Sequence, residues 1–184
     1  MKAIITSIGE TTTDTCVWAL ERNGFKVELI KNSGTTLAEK LKLIYATNDE
    51  NFLRVDADVI VNQQCTPNAV RALSESSDIW WMQFQTFDWY KQDLTWGGVQ
   101  FIKKKALPIL NQNINSALNM ERPESQMYRL KEFHEPRRCV GIEVCMGIHG
   151  FGIHNVNRVI ETKKRRNQYS NYDFELAERL NNLK

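Results

Sequence analysis

The chain has 184 residues, of which 42% are hydrophobic and 25% charged, and this length suits one domain with a sizeable core. Its 24 basic and 22 acidic residues give a net charge of +2, which argues against a strongly basic nucleic-acid-binding protein and against an acidic disordered segment. No apolar run approaches the ~20 residues of a membrane span. Met1 and Lys2 lead directly into a strand-like run, which predicts no signal peptide, and four cysteines without a CxxC pair favour a cytoplasmic protein with reduced thiols.

Short apolar runs alternate with helical patterns over the first 60 residues. Strands are predicted at 3–8, 25–30 and 52–55, with one amphipathic helix between each pair. This alternation indicates βαβ units, an α/β class and a mainly parallel central sheet covered by helices on both faces. Right-handed crossovers then place the loops that follow the strands at one edge of the sheet, where such sheets bind ligands.

The second half of the chain mixes strands, helices and polar segments without an internal repeat or a linker, so we predict a single domain over residues 1–184. Its predicted elements are a helix at 67–76, a strand at 79–84, an aromatic-rich loop at 85–97, a strand at 99–102 followed by an amphipathic helix, a loop at 111–119, a helix at 124–133, a strand at 139–148 and two helices in the last 30 residues.

Two carboxylates, Asp56 and Asp58, follow the third predicted strand and are flanked by apolar residues. Burying two unpaired carboxylates is unfavourable, and a divalent cation would offset this because Mg²⁺ and Mn²⁺ prefer carboxylate and phosphate oxygens. In extended backbone, residues two apart face the same side, so both could meet one metal–diphosphate unit. The alternative is that they are turn or helix-capping aspartates at a strand end.

The order of several short stretches resembles nucleotide-sugar glycosyltransferases of the GT-A fold, especially the compact bacterial and phage members. The resemblance covers roughly residues 3–151. It is carried by Ser7-Ile8-Gly9-Glu10-Thr11, a helix with Lys40, Val55-Asp56-Ala57-Asp58, Thr95-Trp96-Gly97-Gly98, Pro123-Glu124-Ser125-Gln126-Met127 and Gly147-Ile148-His149-Gly150-Phe151. It implies a GT-A-like α/β/α sandwich with a nucleotide-binding half at about 1–62, an acceptor and metal-completing half at about 63–151, and C-terminal helices at 152–184.

The resemblance also implies a donor and metal site. Base and ribose would lie against the first loop, and Lys40 would face the diphosphate, although a lysine on an amphipathic helix is usually solvated. Asp58 would bind Mn²⁺ or Mg²⁺ directly, Asp56 would contact ribose, metal or a metal-bound water, and His149 would complete the metal site. The implied first-loop and donor-sugar contacts are Ser7, Gly9, Glu10, Gly97 and Gly98.

For the acceptor side, the resemblance implies a carboxylate base at Glu124. Inverting members of the family commonly carry Glu-Asp there, whereas this chain has Glu124-Ser125, and a glutamate in a first helical turn also simply favours the helix dipole. Asp173 is the second choice because its local pattern resembles the same helix start. Trp89 and Trp96 would stack on an acceptor, or would anchor their loop on the core.

These features predict a metal-dependent glycosyltransferase that moves a sugar from a nucleotide-sugar donor to an acceptor glycan, small molecule or modified nucleic acid. The basic run at 163–166 would contact such a polyanion, or would form a solvated helix face. One alternative is a sugar-phosphate nucleotidyltransferase, which the first loop disfavours because it has one glycine and no basic residue. The other is a non-catalytic nucleotide- or glycan-binding module of the same fold.

Overall fold

The computed structural model describes residues 1–31, 35–76, 78–89, 91–120, 122–134 and 138–150. Its strands are β1 (Lys2–Ser7), β2 (Lys26–Lys31), β3 (Phe52–Asp56), β4 (Val59–Val61), β5 (Trp81–Asp88), β6 (Asp93–Ile102) and β7 (Cys139–His149). Its helices are α1 (Thr13–Arg22), α2 (Leu37–Thr47), α3 (Pro67–Leu73), α4 (Leu107–Asn113), α5 (Pro123–Tyr128) and α6 (Lys131–His134), with short 3-10 turns at Lys104–Ala106 and Ile114–Ala117.

All of these strands belong to one sheet, in the order β2-β1-β3-β6-β5-β7-β4. Strand β1 pairs in parallel with β2 and β3, as the βαβ pattern predicts. Beyond β3 the sheet is mixed, because β6 runs antiparallel to β3 and β5, and β4 runs antiparallel to β7, while β5 and β7 are parallel. The α/β class and the layered arrangement are confirmed, and the sheet is mixed rather than mainly parallel because a hairpin joins β5 to β6.

Each face of the sheet carries its own hydrophobic core. Helices α1 and α3 bury Cys16, Leu20 and Val70 against one face. On the other face, α2, α4, α5 and α6 pack on Phe52 and Ile102, and contribute buried residues that include Leu41, Tyr45, Leu110, Met127 and Phe133. The α1 residues recur at helical spacing, and α2 begins at a capping box in which Thr36 and Glu39 satisfy each other's backbone N–H groups.

Three predicted segments differ in the structure. The predicted loop at 85–97 is mostly hairpin, because β5 continues to Asp88 and β6 begins at Asp93. The predicted loop at 111–119 is largely helical, and there Asn111 donates from its side chain to the carbonyl oxygen of Tyr45 at 2.8 Å. The predicted helix at 124–133 is two short helices, α5 and α6. The predicted C-terminal helices lie outside the described residues, and none of the described helices is long and apolar enough to cross a membrane.

Candidate functional site

A polar cavity begins where the apolar core on the α2 side of the sheet ends. On β3 the residues facing this side are Phe52, Arg54 and Asp56, because side chains alternate along a strand. On β6 the residues paired with Phe52 and Arg54 are Ile102 and Gln100. Two residues further along these neighbouring strands, the side chains that face the α2 side are therefore polar instead of hydrophobic.

Arg54 is the central side chain among these polar residues and is 1% exposed. Its guanidinium donates to the Gln100 Oε1 atom at 2.9 Å and forms an ion pair with the Asp56 carboxylate. The Thr6 hydroxyl also donates to Asp56, at 3.4 Å. Burial raises the pKa of Asp56, with smaller contributions from Asp58 and Glu124, and Arg54 opposes this rise. Arg54 thus fixes the direction of Asp56 and partly neutralises it.

Asp58, His149 and Asp88 form a carboxylate–imidazole–carboxylate chain at the edge of the cavity. The Asp58 side chain lies in the turn between β3 and β4, and its Oδ2 atom is 3.2 Å from His149 Nε2. The other ring nitrogen, Nδ1, is 3.3 Å from Asp88 Oδ2, at the end of β5. Burial alone would lower the pKa of His149, but its hydrogen bonds to the two aspartates raise that pKa to about 10.

Gly98 leaves the space between Asp56 and His149 open. It has a φ of +77°, and a Cβ atom built on it would lie 2.7 Å from Val59 Cγ2, 3.7 Å from His149 Cδ2 and 4.0 Å from Asp56 Oδ2. A side chain here would therefore crowd β4 and project towards both polar groups. Gly97, with a φ of +118°, has no neighbour within 4 Å of such a Cβ.

Hydrogen bonds from nearby side chains fix the conformation of the first loop, which spans residues 7–11 at the end of β1. The Glu10 carboxylate accepts from the Ser7 hydroxyl at 2.6 Å and from the Ile8 N–H at 2.8 Å, and Ser7 Oγ accepts from the Gly9 N–H at 2.9 Å. Lys40 is 3% exposed and donates to the Ser7 carbonyl oxygen at 2.6 Å. In the structure these polar groups support the loop conformation, next to the end of β3, since Thr6 pairs with Asp56.

Glu124 reaches the cavity from the first turn of α5. Its Oε2 atom is buried and has no hydrogen-bond partner among the described residues. The Tyr45 hydroxyl and Arg54 Nε are also buried without such a partner, and both groups interact electrostatically with Glu124. Buried polar atoms are nearly always paired with protein or water. This group of atoms is therefore suited to forming hydrogen bonds with a polar ligand.

The cavity has a volume of about 430 Å³. Its lining consists of polar and charged residues with two aromatic rings and two glycines: Arg54, Asp56, Gln83, Thr86, Lys91, Thr95, Trp96, Gly97, Gly98, Gln100, Arg122, Glu124, Ser125, Tyr128, Arg129, His134 and His149. Trp96 is 48% exposed and lies on the backbone of Gly141, where a Cβ would be only 2.7 Å from the ring. Trp89 is not part of this lining, and Asp173 lies outside the described residues.

The donor set suits a hard divalent cation whose other ligands come from a substrate. Within the described ranges no three histidine, cysteine or acidic side chains form a closed metal cage. Asp58 and His149 nevertheless converge through Oδ2 and Nε2, and the outer nitrogen of His149 is oriented by a carboxylate, as is usual for metal-binding histidines. Mg²⁺ and Mn²⁺ are commonly held by one or two protein ligands with phosphate oxygens and water, so these residues fit the predicted ion.

Sequence reasoning missed Arg54, Gln100 and Asp88. Arg54 does carry a signal, because it stands two residues before Asp56 in a strand and must share its face. The other two carry none, since Gln100 and Asp88 reach the site only through the register of antiparallel and parallel pairings far along the chain.

No protein-family model and no curated protein matches the sequence. Among solved structures, the chain is similar to a glycosyltransferase involved in the glycosylation of the major capsid of PBCV-1, with 14% identity, a TM-score of 0.61 and 98% of both chains covered. It is also similar to the CTP:phosphocholine cytidylyltransferase of Streptococcus pneumoniae, with 12% identity, a TM-score of 0.52, and 88% of this chain and 98% of that chain covered. The chain thus has a fold that a glycosyltransferase and a nucleotidyltransferase share.

Proposed function

We propose that the protein is a metal-dependent glycosyltransferase that uses a nucleoside-diphosphate sugar as donor. The observation that carries this proposal is that His149, paired with Asp58, lines the same cavity as the partner-free carboxylate oxygen of Glu124. In sugar transfer from a diphosphate, a cation can stabilise the leaving group and a base can take the proton of the acceptor hydroxyl. One cavity offers residues for both tasks.

Each residue of the site has a role in this reaction. Asp58 and His149 would hold a Mn²⁺ or Mg²⁺ ion, and this ion would supply positive charge against the diphosphate as it departs. Asp56, oriented by Arg54, would accept a hydrogen bond from the donor's ribose. Gly97 and Gly98 leave room for the donor sugar. Glu124 Oε2 would take the proton of the acceptor hydroxyl while the hydroxyl oxygen bonds to the anomeric carbon of the sugar. The bond from that carbon to the diphosphate breaks, and the nucleoside diphosphate leaves.

In this proposal, the loop that binds the nucleotide is held in its conformation by Lys40, Ser7 and Glu10. Lys40 holds the Ser7 carbonyl and Glu10 holds the Ile8 N–H, so the loop is rigid before the donor arrives. Gly9, with a φ of +98°, provides the turn. Trp96 then presents an exposed ring face to the acceptor, whereas Trp89 would contact only an acceptor that extends beyond the cavity.

The first loop favours glycosyl transfer over nucleotidyl transfer. A triphosphate needs free backbone N–H groups or basic side chains. Here the Ile8 and Gly9 N–H groups are already satisfied by Glu10 and Ser7. The Glu10 carboxylate would also repel the triphosphate.

Donor hydrolysis without an acceptor tests the proposal. Purified protein with Mn²⁺ and a panel of nucleotide sugars is expected to release a nucleoside diphosphate from at least one donor. Asp58→Asn should reduce this release about 100-fold, because it removes a charged metal ligand. Asp93→Asn, an exposed aspartate outside the cavity lining, is the control.

Two results would overturn the assignment. Pyrophosphate release from a nucleoside triphosphate and a sugar phosphate would show a nucleotidyltransferase. Metal-dependent nucleotide binding with no turnover of any donor, alone or with an acceptor panel, would show a binding module.

A further inference from the structure

The cavity carries more positive charge than the proposed donor chemistry uses. Arg54 is neutralised by Asp56, and Glu124 is the other acidic residue in the lining. The lining also contains three further basic residues, which are Lys91, Arg122 and Arg129. Lys91, Arg122 and Arg129 are exposed. Lys91 interacts electrostatically with Asp88, and none of the three forms a salt bridge within 4 Å of a described acidic residue.

Two of these cations flank the same short helix. Arg122 immediately precedes α5 and Arg129 immediately follows it. Both arginines line the cavity, together with Ser125 from the first turn of α5. Lys91 approaches from the hairpin between β5 and β6, so the cations come from two separate parts of the chain.

Arg122 and Arg129 also differ from the other arginines that the structure describes. Each of the others has a partner: Arg22 lies over Trp18, Arg54 binds Asp56, Arg71 donates to Asn68, and Arg138 lies over Trp80. Arg122 and Arg129 are therefore the two described arginines that make no such contact within the described ranges.

We propose that Arg122 and Arg129, assisted by Lys91, bind a phosphate or carboxylate group on the acceptor, so that the acceptor is a small anionic molecule or an anionic chain end. This rests on the proposed function. A guanidinium matches both anions with two parallel hydrogen bonds. In the proposed function, the donor's own diphosphate charge would be offset by the divalent cation that Asp58 and His149 would hold. An anion held between the ends of α5 would place a nearby hydroxyl against Glu124, which lies on the same helix.

Anion binding can be measured without knowing the rest of the acceptor. Full-length protein, with and without saturating Mg²⁺ and nucleoside diphosphate, is titrated by calorimetry with inorganic phosphate in one arm and acetate in the other. We expect saturable binding in at least one arm, and the tighter arm indicates the class of acid. The double variant Arg122→Gln/Arg129→Gln should weaken it at least about tenfold, because charged hydrogen bonds are lost.

A matched control removes the same charge elsewhere. Arg22→Gln/Arg71→Gln changes two exposed arginines that do not line the cavity, and it should leave anion binding within about twofold of wild type. Absence of saturable binding, or an equal loss in both double variants, would overturn the proposal. Displacement of phosphate by micromolar amounts of a short DNA duplex would also overturn it and would assign the cations to a nucleic-acid backbone.

The titration is separate from the test of the proposed function. If no nucleotide sugar is turned over, alone or with the acceptor panel, but phosphate still binds through Arg122 and Arg129, the glycosyltransferase assignment fails and the anion subsite stands without its assigned acceptor. If donors are hydrolysed but neither anion binds, the transferase assignment holds and the acceptor is neutral at this point.

Discussion

Asp88 orients the ring of His149, although Asp88 itself does not belong to the candidate metal-binding pair of Asp58 and His149. Its side chain is 10% exposed. Burial would raise the pKa of Asp88, but the hydrogen bonds from His149 and from the Lys91 N–H lower it, so the carboxylate stays ionised. With Nδ1 directed at Asp88, Nε2 is left facing Asp58, and a cation held between them would take the place of the Nε2 proton. This is the arrangement in which an outer carboxylate fixes the tautomer of a metal-binding histidine.

Replacing Asp88 by asparagine should weaken metal binding without disturbing the hairpin. An asparagine oxygen can still accept from the Lys91 N–H, as Asp88 Oδ1 does at 2.9 Å, but it no longer attracts the Nδ1–H of His149. Loss of such an outer partner lowers metal affinity about 10- to 100-fold. Titration with Mn²⁺, followed by electron paramagnetic resonance, would measure this directly.

The control for this measurement lies across the same hairpin. Asp93 is paired with Asp88 in the β5–β6 register and is exposed, so Asp93→Asn changes the same charge without touching His149. Equal Mn²⁺ affinities in the two variants, or an Asp88→Asn affinity within twofold of wild type, would contradict the orienting role.

At the scale of elements, β4 depends on the close approach of β6 and β7. Gly98 on β6 meets Val59, and a Cβ on Gly147 of β7 would lie 2.5 Å from the carbonyl oxygen of Ile60. These glycines let β4, which has only three residues, reach the sheet edge next to His149. The short strand in turn determines where the Asp58 turn points.

Gly98→Ala is expected to lower the free energy of unfolding by about 2 kcal/mol or more. A positive φ alone costs an alanine about 1 kcal/mol, and the clash with Val59 adds overpacking of 1–3 kcal/mol, roughly. Urea unfolding would measure this loss. Gly24→Ala is the control, because Gly24 has a φ of +90° but its Cβ would meet only ordinary contacts at 3.9 Å or more. Equal losses in the two variants would exclude crowding at Gly98.

The elements differ in how far the sequence predicts them. The first three strands and the acidic turn follow from local apolar patterns and from the pairing rules of βαβ units. The same rules do not predict β4, because three residues are too few to show an alternating pattern. They also do not predict the β5–β6 hairpin, because its mixture of polar and aromatic residues is typical of a loop. Convergence of Asp58 with His149 required a resemblance to a known family, and Asp88 required the register of β5 against β7.

At the scale of the whole molecule, the site occupies the end of one of the two cores. On the α2 side, the buried surface runs from Phe52 and Ile102 to Arg54 and Gln100 and then opens into the cavity. Arg54 is therefore both a core residue, packed beside Tyr45, and the counter-charge of the site. Its removal affects stability and function together, which makes global unfolding the appropriate measurement.

Arg54→Met should lower the free energy of unfolding by about 3 kcal/mol, because it leaves Asp56 without its buried counter-charge. The double variant Arg54→Met/Asp56→Asn should recover a large part of this loss, since neither charge then remains unpaired. Arg71→Met, an exposed arginine that contacts only Asn68, should change stability by less than about 0.5 kcal/mol. Urea unfolding of the wild type, the single variants Arg54→Met, Asp56→Asn and Arg71→Met, and the double variant gives each value. Strict additivity in the double variant would show that Arg54 contributes through packing rather than through its charge, and Asp56 would then have to be oriented by Thr6 alone.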